Sequence, residues 1–269
     1  MKILFVGDVF GSAGRQIVRE HLGHLRQTHS VDLTVINGEN AAGGFGITPA
    51  LADELFDLGA DVITTGNHVW DKRELMDYLR SAPAESHERA RRVLRPANLQ
   101  HGLPGYGLYQ GTLTHGPDAG TPYAVMNLMG RVFLNGTNDP FHAIDTLLKE
   151  VTARIILVDF HAEATSEKVA MGWHLDGRVT ACLGTHTHIP TADERVLPGG
   201  TAYQTDVGMS GPYDSVIGVE KELVLQRFRT GLPGKFEAAK GNPRLCAALI
   251  DCDPKTGRAH RIQRIMLAE

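Results

Sequence analysis

A layered α/β fold is what this chain of 269 residues predicts, and three observations carry that expectation. Short apolar runs alternate with stretches of helical periodicity from the first residues onward. The early runs open into glycine-rich turns, and the 30 glycines exceed the usual share. Residues with ligand chemistry (Asp, Glu, Asn and His) follow those runs directly, where ligands bind in sheets of this class.

Taken in order, Ile3–Val6 reads as a buried strand entering the turn from Gly7 to Gly14. From Arg15 to Thr28 the residues Ile17, Val18, Leu22 and Leu25 form a helical stripe. Leu33–Ile36 is the second strand, running into Asn37-Gly38-Glu39-Asn40 and the flexible stretch Ala41 to Gly46. Thr48-Pro49 pairs an N-cap with proline at the first helical position and starts a helix to about Leu58. Val62–Thr65 is a third strand, ending in Gly66-Asn67-His68-Val69-Trp70, and Asp71 caps a short helix to about Arg80.

The middle is less regular. Ser86 to Arg95 reads as a solvated, charged connector and only weakly as a phosphate patch. Tyr106–Leu113 and Tyr123–Met129 alternate as antiparallel strands, and Phe141 to Val151 reads as a helix. Ile155–Val158 delivers Asp159-Phe160-His161, Ala162 to Gly172 is helical, and Val179–Leu183 delivers a pair of histidines. Tyr203 lies on a further strand, Val219–Phe228 on a helix, and Cys246–Ile250 with His260–Met266 form a closing hairpin. With no repeat, low-complexity tract or linker in view, residues 1–269 read as one domain.

Composition excludes several classes of function. Charged residues make up 22% of the chain and the net charge is −4, so no general attraction to nucleic acid or acidic lipid is expected. No apolar stretch approaches membrane-spanning length. The three cysteines, Cys182, Cys246 and Cys252, lack C-x-x-C spacing and read as buried, reduced thiols of a cytoplasmic protein. The turn Gly7 to Gly14 has neither Walker nor G-x-G-x-x-G spacing, and no G-x-S-x-G is present.

The chemistry concentrates in Gly184-Thr185-His186-Thr187-His188. Residues i and i+2 of an extended segment share a face, so His186 and His188 are expected to present two imidazoles to one point beyond a strand end. Gly184 is read as the residue that lets the backbone turn there. A lone His-x-His usually binds nothing. Here, however, five strand ends carry candidate ligands: Asp8; Glu39 and Asn40; Asn67 with His68; His161; and His186 with His188. A set of oxygen and nitrogen donors without cysteine suits manganese, iron or zinc better than a structural zinc site does. Asp159 and Asp206 read as turn caps rather than as supports for ligating histidines, and Trp70 as packing.

These motifs resemble those of the calcineurin-like metallophosphoesterases: Gly66-Asn67-His68 matches their G-N-H, and Gly184 to His188 their G-H-x-H with one inserted threonine. Phe10 stands where that pattern has the His of D-x-H, and Gly38-Glu39-Asn40 replaces G-D. The departures look coordinated, since Asn40 can replace a ligand lost at Phe10. Together with Asn127-Leu128-Met129-Gly130-Arg131 and Thr205-Asp206-Val207-Gly208-Met209, this variant resembles the YmdB-like branch across the whole chain.

The resemblance implies a four-layer αββα sandwich and two divalent or mixed-valence metal ions, iron or manganese first and zinc as the alternative. It implies that Asp8, Asn40 and His188 hold one metal and Asn67, His161 and His186 the other, with Glu39 bridging. The implied activity is hydrolysis of phosphodiesters, cyclic nucleotides of the 2′,3′ or 3′,5′ kind among them. A hydroxide shared by two cations about 3.5–4 Å apart would attack. His68 would assist the leaving group or the phosphoryl oxygen, work worth about 10²–10⁴-fold. The competing reading is a metal-containing regulatory protein that binds a protein or RNA partner. A homo-oligomer is the general expectation for a soluble enzyme.

Overall fold

A computed structural model of the chain describes residues 1–81 and 88–268. Two sheets form its centre. In the first, β1 (Lys2–Val6), β2 (Leu33–Asn37), β3 (Val62–Thr64) and β4 (Val93–Leu94) run parallel in that order. β12 (Pro243–Cys252) joins β1 antiparallel and carries β13 (Ala259–Ala268) on its other edge. The short strand β11 (Gly211–Pro212) pairs with the start of β12.

In the second sheet β6 (Pro122–Met129), β7 (Ile155–His161), β8 (Ala181–Thr185) and β10 (Ala202–Gln204) are parallel neighbours. Its edges, β5 (Leu108–Thr112) and β9 (Arg195–Val196), are antiparallel.

Side-chain alternation builds the layers. Along β1, Ile3 and Phe5 pack between the sheets against Val125, Leu157 and Leu183 of the second. Leu4 and Val6 face outward, onto Ile17, Val18 and Leu22 of α1 (Gly11–His29) and Leu55 of α2 (Pro49–Asp57). On the second sheet Ile156, Val158 and Phe160 face Ile144 of α5 (Pro140–Leu147) and Met171 and Leu175 of α6 (Thr165–Leu175). Helix, sheet, sheet, helix is therefore the order of layers, the αββα sandwich expected. Strands buried on both faces carry near-continuous apolar runs for this reason.

Several boundaries differ from expectation. α1 begins at Gly11 rather than Arg15, so the second half of the glycine-rich turn is its first helical turn. Gly14 is needed there because a side chain would strike the Ser210 carbonyl. α3 (Arg73–Arg80) is preceded by Lys72 and not capped by Asp71, whose carboxylate accepts instead from His68 Nδ1 at 2.9 Å. Residues 86 and 87 of the charged connector lie outside the described residues. From Glu88 onward, α4 (Glu88–Arg91) docks Arg89 on Asp53 and Asp57 of α2 at 3.2 and 2.6 Å. α6 starts at Thr165, which leaves Glu163 in a bend beside the sheet end. α7 (Lys221–Thr230) follows two residues later than predicted. Among the described residues no helix is long and apolar enough to cross a membrane, and Cys182, Cys246 and Cys252 are buried free thiols.

Candidate metal centre

The carboxyl ends of β1, β2, β3, β7 and β8 converge, and the residues just beyond them meet. His161 Nε2 lies 2.9 Å from Glu39 Oε2, 3.0 Å from Asn67 Oδ1 and 3.0 Å from His186 Nδ1. Beside this cluster, His188 Nε2 is 3.1 Å from the Asn40 amide and 4.0 Å from Asp8 Oδ1. Asp8 Oδ1 is also 4.0 Å from His161, so the Asp8 carboxylate stands between the two groups. Gly66 makes this possible, because a Cβ there would overlap Glu39 Oε2 and His161 Nε2.

The protons of the three histidines follow from their outer partners. His188 Nδ1 is 2.8 Å from the Ile217 carbonyl, which can only accept, so Nδ1 carries the hydrogen and Nε2 a lone pair. His186 Nε2 donates to Glu163 at 3.0 Å, which leaves its Nδ1 as the lone-pair nitrogen. His161 Nδ1 is 2.9 Å from Thr185 Oγ1, whose own hydrogen goes to Asp159 Oδ1 at 2.7 Å. Thr185 can then only accept from His161, and His161 Nε2 keeps its lone pair. Burial holds all three imidazoles neutral: it pushes His186 down to about 2, and lowers His161 strongly and His188 as well.

Three lone-pair nitrogens therefore face a set of oxygens. Asp8 Oδ1, Glu39 Oε2 and Asn40 Oδ1 are buried with no hydrogen-bond donor among the described residues. Burial raises Asp8 well above the usual carboxylate range, with Asp206, Glu39 and Asp159 adding to the effect. Burial also raises Glu39 to about 7, opposed by the His68 and His188 imidazoles. Acceptors packed against acceptors are costly unless a cation joins them. Glu39, His161 and His186 bring their donor atoms within 4.8 Å of one another. Metal ions fit this donor set, and rotating the Asn40 amide would aim its orphaned oxygen at His188 Nε2.

A family model described as YmdB-like protein matches residues 4–265. The chain belongs to the YmdB-like family. A Bacillus subtilis relative named 2′,3′-cyclic-nucleotide 2′-phosphodiesterase is 47% identical over 269 residues, covering 99% of this chain and 97% of its own. The crystal structure of a hypothetical protein from Thermus thermophilus superposes with a TM-score of 0.90 at 42% identity, covering 100% of both chains. The crystal structure of a novel phosphatase from Mycoplasma pneumoniae also gives 0.90, at 34% identity, over 100% of this chain and 93% of that one.

Within this YmdB-like chain the extended His-x-His is corrected. β8 ends at Thr185, and His186 and His188 adopt left-handed backbone with φ of 103° and 67°. They reach the two groups from a bent loop and not from one strand face. Gly184 does not make the bend; it lets the Thr205 carbonyl approach β8 where a Cβ would collide. The loop is held by Asp206, which accepts from the Thr187 backbone N–H at 3.1 Å and its hydroxyl at 2.9 Å. Asp206 is thus a loop cap, as expected, but it is also paired at 2.5 Å with the buried Lys168, whose ammonium reaches the Thr185 carbonyl at 2.7 Å.

Asp159 does more than cap a turn. It accepts from Thr185, Thr64 and Asn37 and so supports His161 through Thr185. Burial raises Asp159 to about 7 against the pull of those three bonds. Lys168, Glu163, Thr185 and Asn37 were not identified from sequence. Glu163, directly after the His161 strand end, carried the only usable signal.

A cavity of about 290 Å³ opens over the centre. His68 lines it with Nδ1 held by Asp71 at 2.9 Å, so Nε2 is the nitrogen left for a ligand. The Phe45 ring meets His68 edge-on at 5.1 Å. Phe10 packs edge-on against His188 at 5.5 Å. Trp70 packs against the outer core of the first sheet, as expected.

Proposed function

We propose that this protein is a dinuclear metal-dependent phosphodiesterase that opens cyclic nucleotides, those of the 2′,3′ class first. The observation that carries this reading is the set of buried oxygens without donors beside three histidine lone pairs. Asp8, Asn40 and His188 would hold one cation, Asn67, His161 and His186 the other, with Glu39 between them. Such cations supply Lewis acidity toward phosphoryl oxygens and make water a nucleophile at neutral pH. Oxygen and nitrogen donors without thiolate favour manganese or iron, with zinc as the alternative. The name of the Bacillus subtilis relative supports the 2′,3′ preference and cleavage at the 2′ oxygen.

His68 Nε2–H is assigned to the leaving oxygen. As water oxygen bonds to phosphorus and releases one proton to solvent, the P–O2′ bond breaks, its electron pair goes to O2′, and O2′ takes the His68 proton, which solvent then restores. The product is a 3′-monoester with a free 2′-hydroxyl. Asp71 fixes the ring for this transfer through its 2.9 Å contact with Nδ1. Three buried free thiols support the cytoplasm as the working compartment, and we read residues 1–269 as a single catalytic domain.

The test is metal content and hydrolysis of protein purified without chelators. About two ions per chain, with turnover of 2′,3′-cyclic AMP and bis-p-nitrophenyl phosphate, is the expected result. Failure to bind metal under any loading condition would refute the centre. Two ions without turnover of any diester would refute the enzyme.

A further inference from the structure

Ile217 is an unexpected residue to find on the rim of the cavity. Val216 and Val219 exchange backbone hydrogen bonds of 2.9 and 3.1 Å, closing a two-residue turn at Ile217-Gly218. Both turn residues have left-handed backbone, φ 47° at Ile217 and 101° at Gly218. Turns of this kind favour Asn, Asp or Gly at the first position, and a β-branched side chain there is a steric outlier. Core burial does not offset the strain, because Ile217 is 48% exposed. The contact to the metal centre does not require isoleucine either, since it is the backbone carbonyl that accepts from His188 Nδ1.

What isoleucine adds is its side chain, and Ile217 is among the residues lining the cavity, with Phe45, Val219 and Phe236. The same cavity has Glu39, Asn40, His186 and His188 among its lining and, among the described residues, no lysine or arginine. It therefore joins a polar, ligand-bearing part to an apolar part. Backbone strain retained at a binding site without a packing reason points to a role in function.

We propose that Ile217 is a specificity-determining residue. With Phe45 and Phe236 it forms an apolar wall that receives the nucleobase and ribose of the substrate, while the phosphate occupies the metal centre. This rests on the phosphodiesterase reading above. The wall recognises the organic part of the diester by contact area, and the absence of a cationic side chain leaves the phosphate to the metals and His68.

The test uses manganese-loaded protein and its Ile217→Asn variant, which keeps the carbonyl and suits left-handed backbone. Equilibrium binding of adenosine 3′-monophosphate and of inorganic phosphate is measured beside thermal unfolding. The nucleotide is expected to bind about fivefold more weakly, which is about 1 kcal/mol, with phosphate affinity unchanged within about twofold. Relief of strain should raise the Tm by about 2–4 °C. Phe236→Ala should weaken the nucleotide selectively in the same way.

Equal weakening of nucleotide and phosphate would mean that the change acts through His188, and would overturn the proposal. So would unchanged nucleotide affinity in both variants. A wild-type protein that binds the nucleotide through Ile217 yet hydrolyses no diester would uphold the wall and refute the enzyme instead.

Discussion

Replacing Thr185 by valine tests whether the buried chain from Asp159 through Thr185 to His161 sets the geometry of the metal centre. Valine keeps the β-branched shape that suits β8 and removes only the hydroxyl. Asp159 loses a donor at 2.7 Å and His161 Nδ1 loses its acceptor at 2.9 Å. His161 can then place its hydrogen on Nε2, facing Glu39, Asn67 and His186. That proton competes directly with a cation. Loss of such an outer partner costs about 10–100-fold in metal affinity.

Stability should fall too. An unsatisfied buried group costs about 1–3 kcal/mol, and two are created. Asp159, raised to about 7 by burial, rises further without the Thr185 bond and becomes protonated, which offsets part of that cost. A net loss of about 2–3 kcal/mol, a Tm lowered by roughly 5–10 °C, is expected. Chelator competition gives the affinity and calorimetry the stability. Thr185→Ser, which retains the hydroxyl, should restore both. Affinity within about threefold of wild type in Thr185→Val would refute the idea that this chain orients His161.

Other outcomes follow from the same geometry. His68→Ala should retain its metals while turnover of 2′,3′-cyclic AMP drops by about 10²–10⁴-fold; loss of metal in that variant would recast His68 as a ligand. Gly66→Ala places a Cβ into Glu39 and His161, so elemental analysis should find the centre depleted, and full occupancy would contradict the packing described. Metal affinity should rise with pH. Glu39, at about 7 through burial, and Asp8, also raised by burial, must release their protons to a cation, whereas the histidines are already neutral. Each unit of pH below about 7 should therefore weaken binding about tenfold per proton displaced. A flat affinity between about pH 6 and 8 would show that Glu39 binds no cation.

Much of this site was legible because strand ends in an α/β sheet converge. Asp8, Glu39, Asn40, Asn67 and His161 each follow an apolar run, and the topology brings those run ends to one place. The layers were legible for a related reason: runs such as Ile3–Val6 and Ile155–Val158, apolar at every position, require cover on both faces. Thr185 and Asn37 were not legible, since an isolated polar residue in or beside a strand has the same appearance whether it meets solvent or a buried carboxylate. Only the packing of the second sheet on the first brings Asn37 and Thr64 to Asp159, across separations of 122 and 95 residues.

The His-x-His loop shows where local pattern reading fails for a physical cause. Alternation presumes extended backbone, and nothing within Gly184 to His188 signals left-handed conformations at two histidines. Those conformations cost energy and persist only when the surroundings over-determine them. Here the constraint arrives from elsewhere in the chain: Asp206 holds both Thr187 donors, and Lys168, 1% exposed on α6, binds Asp206 and the Thr185 carbonyl together. A lysine reads as a surface residue in any helical pattern, so its part in bending this loop is invisible until α6 is laid on β8. The strained loop in turn sends His186 to His161, and His188 to Asp8 and Asn40. A flat strand would have aimed both imidazoles at one point and left the other group without its nitrogen donor.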